Sequence, residues 1–256
     1  MTTAKEIKEL MYKMKNKQQC IILSRFFKTG KGQYGEGDCF LGIKVPQTRL
    51  IVKQYKLQIP LPEIKRLLDS PWHEIRLCGF LLLVEEMKAV LPKRKVPQNN
   101  EKERMDARRR KEIANFYLQN ATQANNWDLV DLSCGTILGG WMLHPLENGD
   151  MPSRTILDSL ATSHNLWEQR IAIVSTILLI KHQQYEDTLR IASLLLSHPH
   201  DLIHKATGWM LREVGKQDIK TLRAFLAQHV TEMPRTTLRY AIEKMTDEER
   251  FYWMKL

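Results

Sequence analysis

Apolar residues recur at helical period through almost every segment of this chain, and strand alternation is nearly absent. That pattern leaves helix packed on helix as the way to build a core. Start and stop signals agree with it. Thr3 with Glu6 and Thr246 with Glu249 are spaced as capping boxes. Pro46, Pro62, Pro71, Pro199 and Pro234 precede or open apolar-periodic runs, where a missing N–H costs little. Gly215 is placed to end a helix running from Leu202 to Val214. The pattern predicts about a dozen helices joined by short turns.

With 43% hydrophobic residues in 256, the chain can bury a sizeable core. Its 39 Lys+Arg against 29 Asp+Glu, a net charge of +10, suggest a polyanionic partner, nucleic acid before an anionic membrane. Cys20, Cys39, Cys78 and Cys134 form no Cys-x-x-Cys pair and no zinc spacing. Scattered thiols, with no secretion signal in Met1 to Glu6, lead us to expect a reducing cytoplasm. The longest apolar run, Ile171 to Ile180, is too short for a bilayer, which needs about 20 residues, and reads as a buried helix.

The helices repeat weakly. Trp72-His73-Glu74-Ile75-Arg76-Leu77 resembles Trp167-Glu168-Gln169-Arg170-Ile171, and His204-Lys205-Ala206 and Leu238-Arg239-Tyr240 continue the pattern. Arg170 to Lys205 is 35 positions and Lys205 to Arg239 is 34, whereas Arg76 to Arg170 spans 94. A period of ~35–45 residues suggests HEAT-like or TPR-like units. The expected fold is therefore all-α: a curved solenoid of HEAT-like antiparallel helix pairs, one domain over residues 1–256, with recurring cations lining a basic concave face. Two irregular segments interrupt it. Lys93 to Lys111, with Lys93, Arg94, Lys95, Arg104, Arg108, Arg109, Arg110 and Lys111, reads as a loop entering a charged, solvated helix, and His144 to Ser153 as a turn-rich connection.

Common enzyme signatures are missing: no phosphate loop, no Gly-x-Ser-x-Gly, no His-Glu-x-x-His. The glycines of Thr29 to Asp38 follow a helix, so a flexible connection is the default, although Lys28, Lys31 and Tyr34 could touch a phosphate backbone there. The segment Asn126-Trp127-Asp128-Leu129-Val130-Asp131 is more informative. Asn126 is a plausible N-cap, and i,i+4 spacing puts Trp127 and Asp131 on one helix face. Asp128 and Asp131, near the helix start, are favoured as anions by the helix dipole. By spacing alone the commoner outcome is a packed indole and a capping carboxylate. Arg170 can be a salt bridge or a clamp on phosphate or on Asp131. Trp209 follows Gly208, which suggests close helix approach or room for the indole to turn outward. Trp72, Trp141, Trp167 and Trp253 read as structural.

Taken in order, several segments resemble the AlkD-like family of DNA alkylation-repair glycosylases, built on HEAT-like repeats. They are Tyr34 to Pro46 with Arg49, Asn125 to Asp131, Trp167 to Ile173, Lys205 to Glu213 and Thr236 to Lys244. The resemblance implies excision of cationic N3- and N7-alkylated purines from duplex DNA, without drawing the base into a pocket. It matches the catalytic carboxylate to Asp131, the flanking tryptophans to Trp127 and Trp209, and the arginine to Arg170. Tyr34, Lys44, Arg49, Lys205, Arg212 and Arg239 are the DNA-contact candidates. For a further N-terminal aromatic, Phe26, Phe27 and Tyr34 all remain open.

The implied chemistry is physically coherent. An alkylated purine leaves with loss of charge and needs little acid assistance. The sugar develops oxocarbenium character that a carboxylate stabilises, and indole faces attract cations. No cofactor or metal is implied, no lysine is placed for lyase chemistry, and the expected partner is alkylated duplex DNA, met by a monomer away from any membrane. The alternatives are a non-catalytic HEAT-like module that binds DNA structure and a solenoid whose basic face meets an acidic protein.

Overall fold

The computed structural model describes residues 3–92 and 101–256, so Lys93, Arg94 and Lys95 of the charge run lie outside the described residues. The fold is all-α as expected. Among the described residues there is no strand, only an isolated bridge between Cys39 and Trp72. No helix among them is long and apolar enough to cross a membrane. The chain divides into two compact units, one of Met1–Ile137 with Leu146–Asp150, the other of Leu138–Pro145 with Met151–Leu256.

The first unit carries α1 (Ala4–Lys13), α2 (Lys17–Phe26), α3 (Val45–Tyr55), α4 (Leu61–Leu68), α5 (His73–Val90), α6 (Glu101–Gln119) and α7 (Trp127–Asp131). Its hub is α5, apolar nearly all round from Ile75 to Val84, against which α3, α4, α6 and α7 pack. Thr3 caps α1, accepting from the Glu6 backbone N–H and donating to its carboxylate, as the capping-box spacing predicts. Pro46 and Pro62 stand in the first turns of α3 and α4. The charged helix α6 is not simply a solvated face. Arg104, Arg108 and Lys111 are exposed, but Arg110 is fully buried, donating to the Val90 carbonyl (2.9 Å) and the Glu103 carboxylate (2.6 Å). Arg109 pairs with Glu86 and Glu112. A run of like charges in sequence is here divided by helical period between solvent and the end of α5.

A π-helical turn, Gly135–Gly139, leads into α8 (Gly140–Met142). The second unit continues with α9 (Thr155–Ala161), α10 (Leu166–Val174), α11 (Ile177–Lys181), α12 (Glu186–Leu195), α13 (Asp201–Gln217), α14 (Ile219–His229), α15 (Arg235–Ala241) and α16 (Asp247–Lys255). Its hub is α13, packed by α10, α11, α12, α14 and α15. Two expectations need correction. The apolar run Ile171 to Ile180 is buried, but as the end of α10 and most of α11. Ser175 and Thr176 break the helix between them, the Thr176 hydroxyl donating to the Ile173 carbonyl (2.7 Å). Gly215 does not end α13, which runs on to Gln217. It marks a close approach, where a Cβ would lie 2.4 Å from Leu222 Cδ2. Gly208 is another, facing the Thr237 carbonyl oxygen of α15 at 2.5 Å from where a Cβ would stand. Trp141, Trp167 and Trp253 are core residues, and Trp72 is half-buried at the start of α5 with the Lys15 ammonium 5.0 Å from its ring centroid.

Candidate active site

The short helix α7 is fixed at its start. The Asn126 side chain, fully buried, accepts from the Trp127 N–H (2.9 Å), which is the cap the sequence predicts. Trp127 opens α7 and Asp131 closes it, both half-buried, and both line a single apolar cleft of about 400 Å³. Trp127 is stacked on Phe27, with centroids 5.3 Å apart, and meets Phe26 edge-on at 5.8 Å. Of the N-terminal aromatics, Phe27 is buried against the indole and Phe26 stands 59% exposed at the rim of the cleft.

Asp131 also borders a second, polar groove of about 310 Å³ with Arg49, Lys53, Lys56 and Lys88. Lys88 and Lys56 share Glu85 at 2.7 and 3.9 Å. One carboxylate therefore sits where an aromatic cleft adjoins a cation-lined groove. Such a seam can face a cation on one side while a polyanion lies along the other. Lys44 is exposed at the cleft and Arg49 is exposed at the groove.

Behind Trp127 lies a buried charge cluster that sequence reading missed. His73, the first residue of α5, has Nδ1 2.7 Å from Asp38 and Nε2 2.9 Å from Asp128. Arg76 donates to Asp38 (2.6 Å), to Asn125 (2.9 Å) and to the Ser70 carbonyl (3.0 Å). Burial by itself would lower the His73 pKa, but the charges and hydrogen bonds of Asp128 and Asp38 outweigh it and raise the value to about 9. Burial would likewise raise Asp38, yet His73 and Arg76 hold its carboxyl below the usual value. The imidazole ring stacks on Phe40 at 4.5 Å and lies 4.9 Å from Phe27.

The glycine-rich segment carries Asp38 to the cluster, with only Gly35 buried among its glycines. Gly37 takes φ +83°, and a Cβ on Gly35 would lie 2.4 Å from the Phe27 carbonyl oxygen. Just beyond, the buried Glu74 carboxylate accepts from the backbone N–H groups of Leu41, Gly42 and Ile43 at 2.8, 2.8 and 3.0 Å. The only sequence cue to this cluster was the Trp-His-Glu-Ile-Arg opening of α5. Partners 35 and 55 positions away leave no local signature.

Arg170 and Trp209 belong to the second unit. Arg170, on α10, is 6% exposed and donates to the Leu202 carbonyl in the first turn of α13 (2.6 Å). There His200 caps α13, its Nδ1 accepting from the Leu202 N–H (3.1 Å). Burial, with the charges of His204 and Arg170, holds His200 below the ordinary histidine value against the pull of Asp201. Trp209 is half-buried on α13, beside the close contact at Gly208. Lys205 pairs with Asp201 (2.7 Å), Arg212 pairs with Glu243, and Arg239 is exposed on α15.

Residues 7–245 match the family model described as DNA alkylation repair enzyme. A solved structure titled "Predicted DNA alkylation repair enzyme from Enterococcus faecalis" superposes with a TM-score of 0.64 at 18% identity, over 91% of this chain and 97% of that one. At that identity the superposition speaks for the fold. No curated protein matches.

Proposed function

The chain belongs to the DNA alkylation repair enzyme family, and we propose that it hydrolyses the N-glycosidic bond of cationic N3- or N7-alkylated purines in duplex DNA. The observation that carries this reading is Asp131, on one helix with Trp127, between the aromatic cleft and the cation-lined groove. The groove cations Arg49, Lys53, Lys56 and Lys88, with Lys44, take the phosphate backbone. The indole of Trp127 attracts the cationic base, by roughly 0.5–2 kcal/mol depending on desolvation. As the glycosidic bond lengthens, positive charge passes to the sugar and Asp131 stabilises it, or activates the attacking water. The alkylated base already carries the charge that its departure neutralises, so no general acid is required. Trp209 and Arg170 enter by the resemblance: Trp209 as a second indole for the cation, Arg170 as the arginine that orients a phosphate. Tyr34, Lys205, Arg212 and Arg239 are proposed backbone contacts, and the protein acts as a monomer without a cofactor. The alkylpurine is removed without a deep base-reading pocket, because selection rests on charge.

The test is release of 7-methylguanine or 3-methyladenine from methylated duplex DNA, leaving an abasic site. Asp131→Asn should cut single-turnover release by about 100-fold or more while duplex affinity changes only a few-fold. Release at the wild-type rate by that variant removes Asp131 from the chemistry. No release by the intact protein, with salt-sensitive duplex binding retained, would instead establish a binding module.

A further inference from the structure

Asp128 sits between the two residues assigned to the chemistry, on the same short helix, yet its side chain turns away from solvent into the protein. It accepts from the Leu129 N–H through Oδ1 (2.9 Å) and meets His73 Nε2 through Oδ2 (2.9 Å). The other ring nitrogen of His73 meets Asp38 at 2.7 Å. A carboxylate only accepts, so a ring that satisfies two carboxylates carries protons on both nitrogens. Each carboxylate also has a second donor: Arg76 on Asp38, and the Leu129 backbone N–H on Asp128.

From this geometry we infer that His73 is a positioning residue: as an imidazolium clamped between Asp38 and Asp128, it ties α7 to α5 and sets where Trp127 and Asp131 stand in the cleft. The inference extends the glycosylase reading and, for its catalytic part, rests on it. The charge balance suits that role. Asp38 and Asp128 offset His73 and Arg76, so the cluster holds α7 in place without adding net positive charge behind a site meant for a cation. The ring also reaches Trp127 through packing, because Phe27 lies between them, 4.9 Å from the imidazole and 5.3 Å from the indole. Removing one proton from His73 leaves a ring nitrogen lone pair facing a carboxylate, and one of the two hydrogen bonds must break. The ionisable groups around the ring are Asp38 from the glycine-rich segment, Asp128 and Asp131 from α7, Glu74 and Arg76 from α5, and Lys44 before α3.

Nitrogen-15 spectra of the histidine rings in the intact protein test the clamp directly. At about pH 7, where an ordinary histidine is mostly neutral, both His73 nitrogens should read as protonated, with titration only near pH 9. The Trp127 indole N–H signal, assigned by its loss in Trp127→Phe, should shift with the same midpoint. In His73→Gln that shift should vanish. Single-turnover base release should fall about tenfold or more, as expected for misplacement of a reacting group, with duplex affinity within about threefold of wild type. A His73 ring that is neutral near pH 7, or a Trp127 signal indifferent to the His73 titration, overturns the inference. So does wild-type release by a folded His73→Gln protein. Where that variant does not fold, the wild-type titration and Asp128→Asn decide. If the intact protein releases no base, the glycosylase reading fails, and the coupling of the Trp127 signal to His73 still decides the positioning.

Discussion

Arg76 and Arg170 occupy the same short pattern, Glu74-Ile75-Arg76 and Glu168-Gln169-Arg170, near the starts of α5 and α10. Both are buried, and both donate through Nη1 to a backbone carbonyl, of Ser70 and of Leu202. Their surroundings differ. Arg76 is drawn into the cluster of Asp38, His73, Asn125 and Asp128, and it serves the placement of α7. Arg170 sits beside the histidine-rich entry to α13. The expectation that cations at this repeat position line a basic face fails for Arg76. In both places the guanidinium reaches a backbone carbonyl outside its own helix, and what else it meets depends on distant sequence. At Arg76 the pattern gives a buried arginine anchor rather than a phosphate contact.

That comparison can be broken most forcefully at Arg76. Arg76→Ala leaves the buried Asp38 carboxylate without its guanidinium and should cost about 3–5 kcal/mol in urea unfolding. A loss under about 1 kcal/mol would remove Arg76 from the anchoring of the cluster. Gly208→Ala, which pushes a methyl against the Thr237 carbonyl, should cost about 1–3 kcal/mol and separates packing of α13 on α15 from any role of Trp209. The first unit should also be pH-sensitive. His73 is raised to about 9 from 6.5, so its contribution to stability is complete below pH 6.5, declines above it and is lost beyond pH 9. Asp38 is depressed, so its contribution holds above its ordinary value of 3.8 and is lost as pH falls through the lowered one. Thermal unfolding scans should place the highest midpoint between those limits, and His73→Gln should flatten the alkaline decline. The smallest effect belongs to the groove. Changing Lys53, Lys56 and Lys88 together to Ala should weaken duplex binding. It should also reduce the slope of log affinity against log salt by up to about 0.9 for each phosphate no longer neutralised. An unchanged slope would take the groove out of DNA binding.

Much of the fold was legible because helical period, caps and proline positions act within a few residues. Thr3, Asn126 and Thr246 all cap where their spacing says they should. The placement of Trp127 and Asp131 in one cleft was legible for the same reason, since i,i+4 is a local relation. Gly215 misled because a helix-ending glycine and a glycine of close approach look alike until the facing residue, Leu222, is known. Ile171 to Ile180 misled because continuous apolarity says that a segment is buried and not whether one helix spans it.

The sequence by itself determined the all-α class, the family resemblance and the pairing of an indole with a carboxylate on one helix turn. Each depends on periodicity, or on residues adjacent in the chain. Only the tertiary structure decided that Phe26 and Phe27 meet Trp127. It also brought Asp131 to the margin of a cationic groove, and made His73, Asp38 and Asp128 one hydrogen-bonded unit. Those contacts join residues tens of positions apart. Their energies come from burial and hydrogen-bond geometry, which exist only once the helices have packed.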